Sequence, residues 1–294
     1  MTQRTRVAVD GRPIVLSNLG KVLWPEVGYT KADLLAYYQS MEACLLPHWR
    51  GRFLTVTRYP HGVTGQYFYQ KNVPAGAPEW VKTKKRRETE YVVADSLSTL
   101  IWLANSNAVE FHLSLDRTEG VGVPNFAVLD LDPTAPAGFG EAVEVAKHLR
   151  ELLEKLRLRG YPKLSGASGL HIYIPLKAEY DFTLTQRLIR LIADTMLKAY
   201  PRLVTVERLI KNRRGIYLDY LQNDQEKTMI GMYSPRPTPG ATVSTPITWE
   251  DLEYYPPQEF TIKTVPQWVA ERGDLFAPVL TDGQSLEHVI PYLG

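Results

Sequence analysis

The chain has 294 residues, enough for two ordinary domains or one large one, and 44% of them are apolar, enough for a sizeable core. That composition excludes collagen-like, coiled-coil and wholesale disordered architectures, and a net charge of +2 is too weakly basic to announce a nucleic-acid protein by itself. No stretch approaches the roughly eighteen consecutive apolar residues of a membrane helix, and MTQRTRVAVDGRPIVL alternates where a signal peptide would be continuously apolar, so a soluble, cytoplasmic protein is expected. The single cysteine, Cys44, can form no internal disulfide and no zinc site alone, and is expected on a helix face.

The opening RVAVDGRPIVL has two alternating runs about Asp10-Gly11, a pair that accepts positive φ angles, and so predicts a hairpin. Thr30 is placed to cap a helix from Lys31 to about Leu46, where Leu34, Leu35, Tyr38, Met41 and Leu45 recur at helical spacing and Pro47 ends the run. Strands are expected at 53–59 and 66–71. Lys82, Lys84, Lys85, Arg86 and Arg87 form a basic cluster that suits either phosphates or a solvated strand end. A strand EYVVA, a helix over about 97–107 and two strands, VEFHLSL and NFAVLDLD, follow.

The spacing of Val143, Ala146, Leu149, Leu153 and Leu156 predicts an amphipathic helix from about 140 to 156. YPKLSGASGLHIYIPL is a strand region broken by a small-residue turn, LTQRLIRLIADTMLKAY a helix stopped by Pro201, and IYLDYLQN another strand, preceded by a basic knot of Lys211, Arg213 and Arg214. PRPTPGATVSTP is too proline-rich for regular structure and is expected as an ordered loop, with short helices near 248–253 and 265–271. A single α+β domain spanning 1–294 is expected, with an N-terminal lobe over about 1–95.

In FAVLDLDP, Asp130 and Asp132 lie two apart on a strand and so project from one face, while Leu129 and Leu131 point into the core. Two carboxylates there repel unless a cation offsets them, and hard divalent ions such as Mg²⁺ or Mn²⁺ take oxygen ligands; a strand end running into an Asp-Pro turn would also place them so. Asp219, inside IYLDYLQN, adds a third acid to a sheet face, and three such carboxylates suit a two-metal centre. In SGASGLHIYIPL, Gly166 and Gly169 permit close backbone approach while Ser165 and Ser168 add hydroxyls, the makings of a phosphate cradle. His171 opens the next strand and can donate to a phosphate, although a lone histidine is more often structural.

Taken in order, FHLSL, FAVLDLDP, SGASGLHIYIPL, KNRRGIYLDYLQN and MYSPRPTPGATVSTPITW resemble the polymerase domain of bacterial ligase D, in the archaeo-eukaryotic primase superfamily of end-joining enzymes. LSNLGKVLWPEVGYTK and YFYQKNVP extend the resemblance over nearly the whole chain. It implies an α+β primase-like fold, a mixed sheet carrying the carboxylates flanked by helices, with the catalytic core over about 96–294. It implies a template-directed nucleotidyltransferase that fills gaps at broken DNA ends, uses two Mn²⁺ or Mg²⁺ ions and NTP or dNTP substrates, and often prefers ribonucleotides.

The partners so implied are gapped or broken double-stranded DNA bearing a 5′-phosphate, an ATP-dependent DNA ligase and Ku, with no membrane, a monomeric state and a nucleoid-associated location. By resemblance, Asp130, Asp132 and Asp219 bind the metals, while His112, Ser165, Ser168, His171, Arg213, Gln222 and Arg236 contact the nucleotide. Asn18, Lys21 and Lys31 match the 5′-phosphate pocket, Phe68 and Tyr69 stack near the templating bases, and Arg58 and Lys71 make other DNA contacts. Ser168 stands where many relatives have a basic residue, and KNRRGIYLD is one residue shorter than the family pattern, leaving Arg213 or Arg214 for the phosphate, with Arg213 favoured. A primer-independent primase, a non-catalytic DNA-end-binding module and a two-metal phosphoesterase are the rival readings. The initial methionine is compatible with a stand-alone protein, a segment of a longer ligase fusion being the alternative.

Overall fold

Asp10 and Gly11 take φ angles of 49° and 73° in the computed structural model, which describes residues 4–293, and turn the strand Arg4–Val9 back on Arg12–Ser17 as the expected antiparallel hairpin. The chain gathers into two units of interleaved segments. The first holds the chain up to Ser114, with Thr228–Ser244 and Gln258–Gly273, and the second holds Leu115–Lys227, Thr245–Pro257 and the chain from Asp274 onward.

In the first unit, Thr30 caps the helix Lys31–Trp49 reciprocally: its side chain accepts from the Asp33 N–H while the Asp33 carboxylate accepts from the Thr30 N–H at 2.8 Å. The helix runs two residues past Pro47, where the sequence placed its end. A proline in the last turn forgoes one backbone hydrogen bond, and the Arg50 N–H still closes on the Leu46 carbonyl at 2.9 Å. Tyr38 and Trp49 of this helix are fully buried against Phe111 of the strand Ala108–Ser114, and the Trp49 Nε1–H donates to the Met232 carbonyl at 2.9 Å. Burying each such side chain contributes about 2 kcal/mol.

Across the first sheet the order is Thr228–Ile230, Ala108–Ser114, Arg52–Arg58, Thr89–Ala94 and Thr83–Arg86, with Phe68–Gln70 also paired to Arg52–Arg58. Thr83–Arg86 is an edge strand. Its exposed Lys84 and Lys85 discourage further strand addition, while Arg86 is buried over the Phe53 ring at 3.7 Å.

The second sheet has the order Tyr161–Leu164, Leu170–Pro175, Phe126–Thr134, Gly215–Leu218 and Val204–Thr205, antiparallel except for the last pair. Helices Phe139–Lys155 and Phe182–Ala199 pack on it. A Cβ at Gly160 would lie 2.7 Å from both Ile172 and Leu153, which marks the Ile172 face as the helix-covered one. His171 and the acids of the central strand therefore leave from the other face. IYLDYLQN is strand only as far as Leu218: Asp219 leaves the ladder because its Oδ1 accepts the Leu221 N–H at 3.1 Å and starts the 3₁₀ turn Tyr220–Gln222.

PRPTPGATVSTP forms an ordered stretch without helix or strand, with Val243, Ser244 and Thr245 buried, and the expected short helices are the 3₁₀ turn Asp251–Glu253 and the helix Val265–Arg272. The architecture is mixed α+β. Among the described residues no helix is long and apolar enough to cross a membrane.

Candidate active site

In the second unit, Leu129 and Leu131 of the strand Phe126–Thr134 are fully buried while Asp130 is half-buried and Asp132 exposed, the alternation that puts both acids on one face. Leu131 pairs with Leu218, so Asp219 falls across from Asp130, and the Asp219 N–H donates to the Asp130 carbonyl at 3.1 Å. Asp132 pairs with Tyr217. On the opposite side of the same strand His171 pairs with Asp130, and its Nε2 lies 3.3 Å from Asp130 Oδ1. The two sequence motifs FAVLDLDP and SGLHIY thus meet side by side.

The Tyr217 hydroxyl donates to Asp219 Oδ1 at 3.2 Å, and the Arg213 guanidinium lies 3.5 Å from the Tyr217 ring centroid. Burial and the Asp219 charge push the Tyr217 hydroxyl up to about 12. Arg213 also donates to the Glu207 carbonyl at 2.9 Å and the Arg208 carbonyl at 3.2 Å, so its seat on Tyr217 brings it near Asp219 only through that ring, while Arg214 donates to the carbonyls of Lys211 and Arg213 on the exposed loop. Gln222 ends the 3₁₀ turn and is half-buried. Ser165 is buried and its Oγ accepts from the N–H groups of Ala167 and Gly169 at 3.1 Å each, so it shapes the cradle from within, while Ser168 is exposed at the tip.

The three acids supply hard oxygen donors on one face, the chemistry that Mg²⁺ or Mn²⁺ requires, and to that extent they fit the implied ions. Among the described residues, no group of three or more His, Cys, Asp or Glu side chains converges as a ready cage. Asp130 leans on His171, and Asp219 on Tyr217 and the Leu221 N–H.

The first unit carries two further sets. Thr57 and Glu110 pair across the strands, as do Thr55 and His112, so Glu110 and His112 share a face with Tyr69, the partner of Thr57. Arg236 Nε lies 2.9 Å from Glu110 Oε1, and the Tyr69 ring stands edge-on to His112 at 6.2 Å. Tyr69 and Phe68 are exposed, at 63% and 44%. Phe68 pairs with Arg58 on the opposite face, the Arg58 guanidinium 5.2 Å over its ring.

Lys31 is not a solvated lysine: it is buried, and its Nζ donates to the carbonyls of Ser17 at 3.0 Å and Asn105 at 2.6 Å. Burial, then the charges of Lys21 and Arg58, lower its pKa to about 8. Lys21 donates to the Pro60 carbonyl, and Asn18 is exposed at φ 53° beside it, its carbonyl accepting the Lys21 N–H. Lys71 is exposed.

A family model described as the LigD primase-polymerase domain matches residues 30–276. The chain belongs to that family. Membership places the chain among the DNA-directed nucleotidyltransferases of the primase superfamily. It is 38% identical over 260 residues to the bifunctional non-homologous end joining protein LigD of Bacillus subtilis (strain 168), covering 87% of this chain and 42% of that protein. With the multifunctional LigD of Mycolicibacterium smegmatis it shares 33% identity over 284 residues, 94% of this chain and 37% of the relative. The chain therefore spans about two fifths of the length of these relatives. The solved polymerase domain from Mycobacterium tuberculosis ligase D, in complex with DNA, superposes with a TM-score of 0.85 at 32% identity, over 92% of this chain and 99% of that one.

Three residues beside the candidate residues, Tyr217 and Asn223 in the second unit and Glu110 in the first, carry no signal of their own in the sequence. Tyr217 looks like an ordinary strand aromatic, and only its place opposite Asp132 and its bond to Asp219 reveal it. Asn223, fully buried, clamps the Val128 N–H at 2.8 Å and the Val128 carbonyl at 2.7 Å, fixing the turn that carries Asp219 to the acid-bearing strand. Glu110 looks like a surface acid in VEFHLSL and is instead 5% exposed.

Proposed function

We propose that the chain fills gaps at DNA double-strand breaks as a template-directed polymerase, joining a primer 3′-hydroxyl to the α-phosphate of an incoming nucleotide with release of pyrophosphate. The observation that carries this reading is the strand Phe126–Thr134, with Asp130 and Asp132 on one face and Asp219 hydrogen-bonded across from Asp130. These three acids would hold two Mn²⁺ or Mg²⁺ ions, which when bound lower the barrier to attack and offset charge on the departing phosphates. His171 fixes the Asp130 carboxylate and can donate to a phosphate oxygen, while Arg213, seated on Tyr217, supplies a cation. Ser165 and Ser168 shape the cradle turn, and Gln222 stands at the end of the turn that begins with Asp219. In the first unit, His112 and Arg236 are assigned to the nucleotide, and Phe68 and Tyr69 offer flat rings to bases.

Recognition of a downstream 5′-phosphate is assigned to Asn18, Lys21 and Lys31, with Arg58 beside them and exposed Lys71 for the DNA backbone. The support is electrostatic: the charges of Lys21 and Arg58 press on the buried Lys31 ammonium, a repulsion that an anion would relieve. A lysine at the start of a helix is otherwise unfavourable unless a negative group sits nearby. The family model draws on both units, which supports their working as one polymerase domain. In this reading the protein is monomeric and nucleoid-associated, works with an ATP-dependent DNA ligase and Ku in end joining, and favours ribonucleotides.

Primer extension on a gapped duplex with labelled ribo- and deoxynucleotides, in Mn²⁺ and in Mg²⁺, tests the reading. Asp130→Ala and Asp132→Ala should each abolish addition while leaving binding to DNA ends intact, since the phosphate-binding lysines lie elsewhere. Extension by either variant at near wild-type rate would overturn the metal assignment, and synthesis without any primer would replace gap filling with priming.

A further inference from the structure

Glu110 lies in the strand Ala108–Ser114, two residues before His112, so both side chains leave one face of the sheet. It is 5% exposed, and three groups close on its carboxylate: Arg236 Nε at 2.9 Å from Oε1, the Tyr59 hydroxyl donating to Oε2 at 2.9 Å, and His112 Nε2 at 4.0 Å from Oε2. A carboxylate buried this deeply costs several kcal/mol unless it is paired. Burial works to raise its pKa, yet the neighbouring His112, the charge of Arg236 and the Tyr59 hydroxyl hold it below the usual carboxylate range, so it stays an anion at neutral pH.

Arg236 is fixed at its backbone as well. Its N–H donates to the Thr242 carbonyl at 2.7 Å and its carbonyl accepts the Trp24 Nε1–H at 3.0 Å. With the main chain held at both ends and Nε against a buried carboxylate, the guanidinium has little freedom to swing, and its side chain retains only 20% exposure. A cation held in this way gives up less conformational entropy on meeting a phosphate than a solvated arginine would.

We infer that Glu110 is a positioning residue of the polymerase, whose carboxylate sets Arg236 and His112 in one fixed arrangement for the phosphates of the incoming nucleotide. It acts through those two side chains and not by touching the substrate. The inference rests on the polymerase reading, in which Arg236 and His112 contact the nucleotide.

The test is steady-state primer extension with Glu110→Gln, Arg236→Ala and the double variant, alongside DNA-binding titrations and thermal melts. Glu110→Gln should raise the nucleotide KM about tenfold or more with a smaller fall in kcat, because a charge-assisted contact is lost, and DNA affinity should stay at the wild-type value. Because Glu110 works partly through Arg236, the double variant should be clearly less impaired than the product of the two single effects. Wild-type KM in Glu110→Gln while Arg236→Ala is impaired, or effects of the two that simply multiply, would overturn the role of Glu110. Wild-type kcat/KM in Arg236→Ala would instead remove Arg236 from the nucleotide, and the inference with it. If Glu110→Gln melts early, Glu110→Asp decides: it keeps the charge but draws it back by one methylene, so a raised KM at wild-type melting supports the role and an unchanged KM overturns it.

Discussion

Lys31 couples a buried ammonium to two backbone carbonyls and to the repulsion of Lys21 and Arg58, and its pKa of about 8 has two consequences of known sign. The folded value lies below the ordinary lysine value of 10.5, so folding disfavours the proton. The stability cost of the buried charge is full below about pH 8 and is relieved as pH rises from 8 towards 10.5. Phosphate binding runs the other way, since the ammonium is what an anion pairs with. The preference for a gap ending in 5′-phosphate over one ending in 5′-hydroxyl should therefore shrink as pH rises through about 8, and Lys31→Arg, which stays charged, should keep it to higher pH. Filter-binding titrations of the two gaps from pH 7 to pH 9.5 check this, and a preference that does not change across that range would remove Lys31 from the pocket. The sequence discloses Asp130 and Asp132 as a pair because strand alternation is local. It does not disclose that Lys31 is buried or that Glu110 holds Arg236, because both depend on residues tens to more than a hundred positions away.

At the scale of elements, the acid-bearing strand is secured from both sides by contacts to its backbone. On one side Gly169 comes so close that a Cβ would lie 2.4 Å from the Leu131 carbonyl, a distance the strand cannot yield without moving. Gly169→Ala should therefore push the cradle turn off the residue between the two acids, lowering melting temperature and nucleotide addition together, whereas Ser168→Ala at the exposed tip should melt as the wild type does. On the other side Asn223→Ala would leave the buried N–H and carbonyl of Val128 without their partner, at a cost of about 1–3 kcal/mol for each group. Chemical denaturation measures that loss, and a change below about 0.5 kcal/mol, the ordinary range for surface substitutions, would show that the clamp is dispensable. Glycine punctuation makes the cradle legible in the sequence. The end of the strand at Leu218 is not, because the hydrophobic run continues through Leu221 and only the Asp219 side chain bonding ahead to a backbone N–H ends it.

At the scale of the molecule, the chain passes between its two units five times. Thr228–Ile230 completes one side of the first sheet, and the following residues supply the carbonyls of Met232 and Tyr233 to Trp49 and Tyr37. A chain ending after Lys227 keeps every carboxylate of the candidate site yet lacks these partners. It should fail to melt cooperatively and should add no nucleotide, as calorimetry and primer extension would show. The α+β class and most helices and strands are legible locally, but the interleaving is not, since Thr228–Ile230 is a strand only by pairing with residues 112–114.

The three-residue strand Phe68–Gln70 sends its two rings to opposite faces, Phe68 to Arg58 and Tyr69 to His112. Which ring serves which neighbour is thus a matter of odd and even numbering, decided by the length of the loop before it. One residue inserted between Gly62 and Tyr67 would exchange the phenol and the phenyl while leaving the composition of the aromatic surface untouched. Loop length here acts as a selector: an inserted residue that shifts the register would present the opposite ring to each partner.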